Sequence, residues 1–265
     1  MKLNEKEILD ALSTNASVSL EVFDNIDSTN DYLKVRAANG APEGTVVIAS
    51  YQTSGKGRMG RSFLSPDGSG IYMSILLRPQ VQACNAILIT ACAAVSVCEA
   101  IEEVTGIKTD IKWVNDLYLN GKKVCGILAE GAVDPKNGLF EYAVLGIGVN
   151  LIDTFKDTEL NGIASGLYSS LPDFELYNLR HNLIPKIIDT FFYYYIKGLD
   201  KSDKELLIKY RSRLFLIDKT VEVISYNDIR EATVTHLNDD FTLSVRYDDG
   251  SIQALNSGEV RLKVK

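Results

Sequence analysis

Apolar positions along this chain change period several times, and each change marks an element. Residues 4–14 carry the spacing of a short helix. Val18, Leu20, Val22, Phe23 and Ile26 then follow the alternation of a strand. Ser28 opens a second helix that runs to about Ala38. Ser28 and Asp31 have capping-box spacing, in which a hydroxyl and a carboxylate each satisfy a free backbone donor. Residues 45–51 (TVVIASY) predict a buried strand, 52–70 a glycine-rich loop and 71–78 another strand. Residues 83–100 are apolar nearly all round, despite Asn85, Thr90, Ser96 and Glu99, and predict a buried helix. Residues 110–114 and 117–119 are strand-like. Asn120-Gly121 is a hairpin turn leading to a strand over 123–132, and Asp134 to Gly138 supply a second turn before a strand over 140–148. Helical spacing recurs over 173–199 and 202–213.

From Lys219 the pattern shortens. Val221 to Val223, Ala232 to His236, Thr242 to Tyr247, Ile252 to Leu255 and Val260 to Val264 are short strands at regular intervals, with turns at 238–240 and 248–250. Five such strands predict a small SH3-like barrel. The expected architecture is α+β: a mixed central sheet flanked by helices over residues 1–215, and the barrel over 216–265.

Composition narrows the function. The 265 residues are 46% hydrophobic and 24% charged, with a net charge of −7. An acidic balance argues against a chain whose main task is gripping nucleic acid, which needs a basic face. It leaves room for small anions held by a local basic loop. The N-terminus, MKLNEKEILDALSTN, lacks the basic start and apolar run of a signal peptide. No stretch reaches the roughly 18 apolar residues needed to span a bilayer, so a cytoplasmic location is expected. Cys84, Cys92, Cys98 and Cys125 form no C-x-x-C pair, and reduced core positions are expected for them. His181 and His236 have no partner motif and receive no role.

The sharpest feature is Gln52-Thr53-Ser54-Gly55-Lys56-Gly57-Arg58-Met59-Gly60-Arg61-Ser62. Its glycines spell G-x-G-x-x-G, and Gly55 to Ser62 nearly spell a P-loop with Arg61 where lysine belongs. Both motifs need a helix to begin inside them. Phe63-Leu64-Ser65-Pro66-Asp67-Gly68 follows instead and cannot continue a helix. The better reading is a pliable loop whose cations Lys56, Arg58 and Arg61 close over an anion and exclude water. The bland alternative is a solvated basic turn.

A second cluster runs from Lys112-Trp113-Val114-Asn115-Asp116 to Lys123 and on to Gly126-Ile127-Leu128-Ala129-Glu130. The Asn120-Gly121 turn would bring Asn115, Asp116 and Lys123 to one surface. Asp116 could hold Mg²⁺, and Lys123 could meet a carboxylate and a phosphate oxygen as charge develops. An ordinary hairpin with surface lysines is the alternative. Gly146-Ile147-Gly148-Val149-Asn150 ends a strand where glycine permits close backbone approach by a ligand.

Taken together the chain resembles the biotin–protein ligases. That family carries a Ser-Thr-Asn triplet, a G-R-G-R-x-G-R loop, K-W-P-N-D followed by G-x-L-x-E, and G-I-G-x-N. Here these are Ser28-Thr29-Asn30, Gly55 to Arg61, Lys112 to Asp116, Gly126 to Glu130 and Gly146 to Asn150, in the same order. Lys56 departs from the loop's first arginine and Val114 from the proline.

The resemblance implies a class II synthetase-like catalytic domain. The implied substrates are biotin and ATP, with Mg²⁺. They pass through biotinyl-5′-adenylate to a lysine of a biotin carboxyl carrier domain. It assigns biotin to Ser28, Thr29, Asn30, Gln52, Gly55, Lys56, Gly57, Arg58, Lys123 and Gly126. It assigns the nucleotide to Arg58, Arg61, Asn115, Asp116 and Asn150, with Arg58 and Lys123 catalytic and Asp116 on the metal. Some members carry an N-terminal DNA-binding unit; about two dozen residues precede the triplet here, too few for one, so no DNA role is expected. A homodimer is compatible. A lipoate–protein ligase and a non-catalytic biotin sensor are the competing readings.

Overall fold

The computed structural model describes residues 2–79, 86–198, 204–225, 228–256 and 261–264. A seven-stranded mixed sheet forms its centre. The strands are β1 (Ser19–Ile26), β2 (Thr45–Gln52), β3 (Gly70–Leu77), β4 (Asp110–Lys112), β5 (Asp116–Leu119), β6 (Lys122–Val133) and β7 (Phe140–Asn150). Their spatial order is β1-β2-β3-β7-β6-β5-β4. Only β1 and β2 run parallel, joined through helix α2 (Thr29–Ala38); the other neighbours are antiparallel.

Residue alternation assigns the two faces. On one face, Leu33 and Ala37 of α2 pack on Val47, Leu76 and Val144. On the other lie helix α3 (Ala86–Thr105) and helix α4 (Asp173–Gly198), against Val46, Ile48, Ile75 and Leu145. Because α3 is sandwiched between sheet and α4, it is apolar on every side. It runs five residues beyond the expected end at Ala100. The expected start at 83–85, and Cys84 with it, lies outside the described residues. Cys92, Cys98 and Cys125 are buried thiols, and burial pushes Cys98 up to about 12. No helix among the described residues is long and apolar enough to cross a membrane.

One departure from the sequence expectations is local. The first helix, α1, covers only Glu5–Asp10, with the Asn4 side chain accepting from Lys6 N and Glu7 N as cap. The Asn120-Gly121 turn is present as expected, both residues having positive φ (51° and 77°).

After α5 (Glu205–Arg213) come β8 (Thr220–Ser225), β9 (Asp228–Leu237), β10 (Leu243–Tyr247), β11 (Ile252–Leu255) and β12 (Arg261–Val264). They form a separate antiparallel sheet in the order β11-β10-β9-β8-β12. β11 and β12 stand at opposite edges, and no described pairing joins them into a closed barrel. This sheet is fastened to the first through the Lys112–Asn115 segment. Trp113 Nε1 donates to Phe241 O at 2.9 Å, and the buried Tyr210 hydroxyl donates to Val114 O at 3.2 Å. Arg211 adds donors to Leu237 O and Asp239.

Replacing Tyr210 by Phe leaves the Val114 carbonyl without this donor. A loss of about 1–3 kcal/mol in urea unfolding is expected, the range for orphaning a buried polar group.

Candidate functional site

The polar end of the site is the start of α2. Ser28 Oγ caps the helix by accepting from Asp31 N at 3.4 Å. The reciprocal arm of the expected capping box is absent, because the Asp31 carboxylate turns to Lys34 and Lys56 instead. Thr29 donates from both N and Oγ1 to Gln52 Oε1, at 2.9 and 3.0 Å, and Gln52 Nε2 donates to Ser65 Oγ. Asn30 Oδ1 accepts from Ser74 Oγ at 2.6 Å, and Asn30 Nδ2 donates to Glu130 Oε2 at 2.9 Å. Lys34 closes the chain on Glu130 Oε1 at 3.1 Å. Ser28, Thr29, Asn30 and Ser74 are all buried, so this network is held rigidly before any ligand arrives.

Glycine is required where the network meets the sheet. A Cβ on Gly146 would stand 2.3 Å from Asn30 Oδ1. Gly126 of β6 pairs with Gly148 of β7, and Asp116 of β5 pairs with Gly126. Residues paired this way share a face. The result is a strip of bare backbone running from Asp116 toward Tyr72, which pairs with Gly148 from β3.

The glycine loop folds over that strip. Gly57 N donates to Arg61 O at 2.7 Å and Phe63 N to Gly55 O at 2.8 Å, with a single 3-10 turn at Arg58–Gly60 between. No α-helix follows, which disposes of the dinucleotide and P-loop patterns. Lys56 Nζ reaches Asp31 Oδ2 at 2.7 Å and so ties the loop to α2. Partial burial would raise the Asp31 carboxyl, but hydrogen bonds from Lys34 and Lys56 outweigh it and hold it below the ordinary aspartate value. Arg58 Nη1 donates to Asn115 Oδ1 at 2.9 Å, tying the loop to the hairpin side as well. The Phe63 ring lies on the glycine strip: a Cβ on Gly148 would come within 2.5 Å of it, and one on Gly126 within 3.0 Å.

The hairpin supplies the charges. Lys123 Nζ sits 2.6 Å from Asp116 Oδ1. Its backbone is clamped on both sides, its N donating to Ile163 O and its O accepting from Ser165 N. Asn115 is locked by Nδ2 donating to Ile127 O at 2.8 Å, while its own O accepts from Ile127 N. Burial pushes the Arg58 and Lys112 side chains below their ordinary values, and in both cases Asp116 opposes the fall. Asp116 is therefore the carboxylate that three cations share.

Two hollows result. A pocket of 50 Å³ is lined by Ser28, Thr29, Asn30 and Gln52 at one end and by Arg58 and Lys123 at the other. Lys56, Gly57, Gly126 and Phe63 also border it. An open cleft of 510 Å³ continues past Arg58 and Asn115, with Arg61 on its rim and Val114, Ile127 and Leu128 among its apolar walls. The pocket holds about two waters at ~30 Å³ each. The cleft falls in the range of about 300–1,000 Å³ usual for small-molecule sites. Phe63 fills much of the space over the strip, so a ligand lying there has to displace it.

Three sequence candidates border neither hollow. Gly55 packs its bare Cα against Phe63 O, where a Cβ would come within 2.4 Å. Asp116 lies beneath Lys123. Asn150 ends β7 opposite Gly70, its O accepting from Leu167 N at 3.0 Å. For Mg²⁺, no group of three candidate ligands occurs among the described residues. Asp116 alone offers a single carboxylate, which fits a cation held mainly by nucleotide phosphates. Ser74 was not singled out in the sequence, and Phe63, Lys112 and Glu130 stood in quoted segments without a site role. Ser74 had a readable signal, being a polar residue inside the apolar run 71–77; the partners of Glu130 are a hundred residues away and had none.

Residues 22–150, which carry the whole of this arrangement except the loop at 163–165, match the model of the Biotin/lipoate A/B protein ligase family. Over those residues the chain is similar to that family. It is similar to the bifunctional ligase/repressor BirA of Bacillus subtilis, at 41% identity over 63% of this chain and 51% of that protein. It is also similar to the biotin–[acetyl-CoA-carboxylase] ligase of Mycobacterium tuberculosis, at 37% identity over 56% of each. The chain spans about half the length of these curated relatives. Among solved structures, the Aquifex aeolicus biotin protein ligase in complex with biotin and ATP superposes with a TM-score of 0.75. That likeness has 27% identity and covers 93% of this chain and 99% of that one. The family resemblance read from the motifs, and the mixed sheet with a small C-terminal antiparallel sheet, stand on these likenesses.

Three outcomes follow from the geometry. Gly146→Ala drives a methyl into Asn30 and should lower stability by about 1–3 kcal/mol, measured by urea unfolding, as overpacking does. Asp31→Asn should expose the loop, raising trypsin cleavage after Lys56, Arg58 and Arg61 by up to about fivefold, since a half-exposed ion pair contributes about 0–1 kcal/mol. Because the Asp31 carboxyl is held below its ordinary value, the Lys56 tie persists at every pH above the ordinary aspartate range. It is lost only as pH falls through the depressed value, so the hydrogen-exchange protection factors of the loop amides should be the same at pH 7 and 5.

Proposed function

We propose that this chain activates biotin with ATP and transfers it to a lysine of a biotin carboxyl carrier domain. The observation that carries the reading is that Arg58 of the glycine loop and Lys123 of the hairpin border the same small pocket as Ser28, Thr29 and Asn30. In the first step a biotin carboxylate oxygen attacks the α-phosphorus of ATP, and the bond to pyrophosphate breaks. In the second, the acceptor amine attacks the acyl carbon of biotinyl-5′-AMP. The C–O bond breaks, AMP leaves, and the amine gives up a proton.

Ser28, Thr29, Asn30 and Gln52 take the polar ring of biotin, and Gly126 leaves room for it. Lys56 and Gly57 close the loop over it. Lys123 and Arg58 meet the carboxylate and the α-phosphate, where positive charge matters most as the five-coordinate phosphorus forms. Arg61 and Asn115 face the nucleotide in the larger cleft. Asp116 sets the position of Lys123; bound Mg²⁺ would neutralise phosphate charge beside it. Gly55 and Asn150 support the loop and the strand end. The division into a catalytic unit, 1–215, and a C-terminal unit, 216–265, belongs to the same proposal; the change of sheet after α5 supports it. So does a role without DNA, which the acidic balance favours, and a homodimer is compatible with it.

Incubating the chain with biotin, Mg·ATP and a carrier domain should add one biotinyl mass to the carrier, seen by mass spectrometry. No gain in mass, or ATP–pyrophosphate exchange driven by lipoate and not by biotin, would sink the proposal. Lys123→Ala should slow the first step by about 10²-fold or more, the scale for removing a donor to developing charge. Arg58→Gly should speed release of the adenylate by about tenfold, equivalent to about 1.4 kcal/mol of binding, measured by filter retention.

A further inference from the structure

Away from this site, two open clefts of 620 and 330 Å³ meet at α4. They share Asp67, Gly68 and Arg180, and none of their lining residues borders the pocket or the cleft under the loop. Arg180 is 3% exposed. Among the described residues its Nη2 reaches only Ser50 Oγ, at 3.4 Å, the long limit of a hydrogen bond. Its Nε is buried with no partner among the described residues. No described carboxylate lies within the 4.0 Å of an ion pair; Asp67 acts on it only through space. Arginine cannot escape burial by losing its proton. A guanidinium desolvated this far is stabilised when a carboxylate accepts from two of its nitrogens.

We propose that Arg180 forms the base of a second ligand site, which takes a single carboxylate group. Charge selects carboxylate over phosphate. The walls carry Lys2 and Arg180 against Asp24, Asp67 and Asp173, and Lys2 is already paired with Asp24. Asp67 and Asp173 are exposed, so solvent screens them enough for one added negative charge, while a dianion meets their repulsion twice over. Ser50 and Asn25 line the same wall and can donate to the second carboxylate oxygen. A free small acid and the carboxylate of an acidic peptide present the same group, and the site would accept either.

The test uses the full chain in thermal unfolding at pH 7 and constant ionic strength, with sodium acetate replacing chloride from 0 to about 50 mM. Acetate strengthens burial of any protein slightly, so the difference between wild type and Arg180→Met is the readout. The expected result is a saturable rise of several degrees in wild type and none in Arg180→Met, with Arg180→Met at least as stable as wild type in chloride alone. An N-acetyl, C-amide Gly-Asp-Gly peptide forms the second arm. A lower half-saturation for the peptide identifies a protein carboxylate as the ligand, and one for acetate a free acid. Equal responses in wild type and Arg180→Met, or none in wild type, overturn the proposal. So does strong destabilisation by Asp67→Asn with no acetate response in wild type, which would make Asp67 the partner. If Arg180→Met does not fold, Ser50→Ala replaces it. A severalfold rise in half-saturating acetate supports the site, and an unchanged value overturns it.

Discussion

A strip of sheet backbone without side chains is the constraint on which the candidate site depends. Gly126, Gly146 and Gly148 occupy adjacent positions on β6 and β7, and each is crowded by a side chain of the candidate site. Asn30 stands over Gly146, Phe63 over Gly148, and Phe63 and Lys123 together over Gly126. A methyl at any of them meets an atom within 2.3–3.0 Å, closer than carbon contacts allow. The helix start, the loop and the hairpin can converge only because the sheet beneath them has no Cβ there. The same bareness would let a flat ligand lie against the strands once the Phe63 ring has swung away.

Charge is organised around a single carboxylate. The chain is acidic as a whole, yet Asp116 is surrounded by Lys112, Lys123 and Arg58, and burial makes the positive charge on Arg58 and Lys112 expensive. An anionic ligand would relieve that imbalance, because Coulomb attraction is strong where water is excluded. Local field and net charge therefore point in opposite directions. Net charge governs solubility and partners at long range, and the field of a pocket is set by its nearest few groups.

The C-terminal sheet is part of the same mechanical unit. Trp113 and Val114 lie just before Asn115, and both are held by groups from beyond residue 209. Asn115 in turn holds Arg58. A disturbance in the loop at Phe241 can therefore reach the glycine loop through two hydrogen bonds and the short backbone between Trp113 and Asn115.

Local pattern was sufficient for much of this. Periodicity identified the central strands, the apolar helix and the Asn120-Gly121 turn, since side-chain spacing and positive φ are properties of neighbouring residues. Motif order carried the family resemblance, and glycine spacing without a following helix correctly denied the loop its two common alternatives. Contacts across the fold were not legible. Asp31 was expected to complete a capping box, but Lys56, twenty-five residues on, offers it a better-charged partner. Phe63 read as loop filler and proved to cover the glycine strip. Strand order and the burial of Arg180 without a described counter-charge were likewise decided only in three dimensions. Each depends on which distant groups the packed core brings within a few ångströms, and one-dimensional spacing carries no record of that distance.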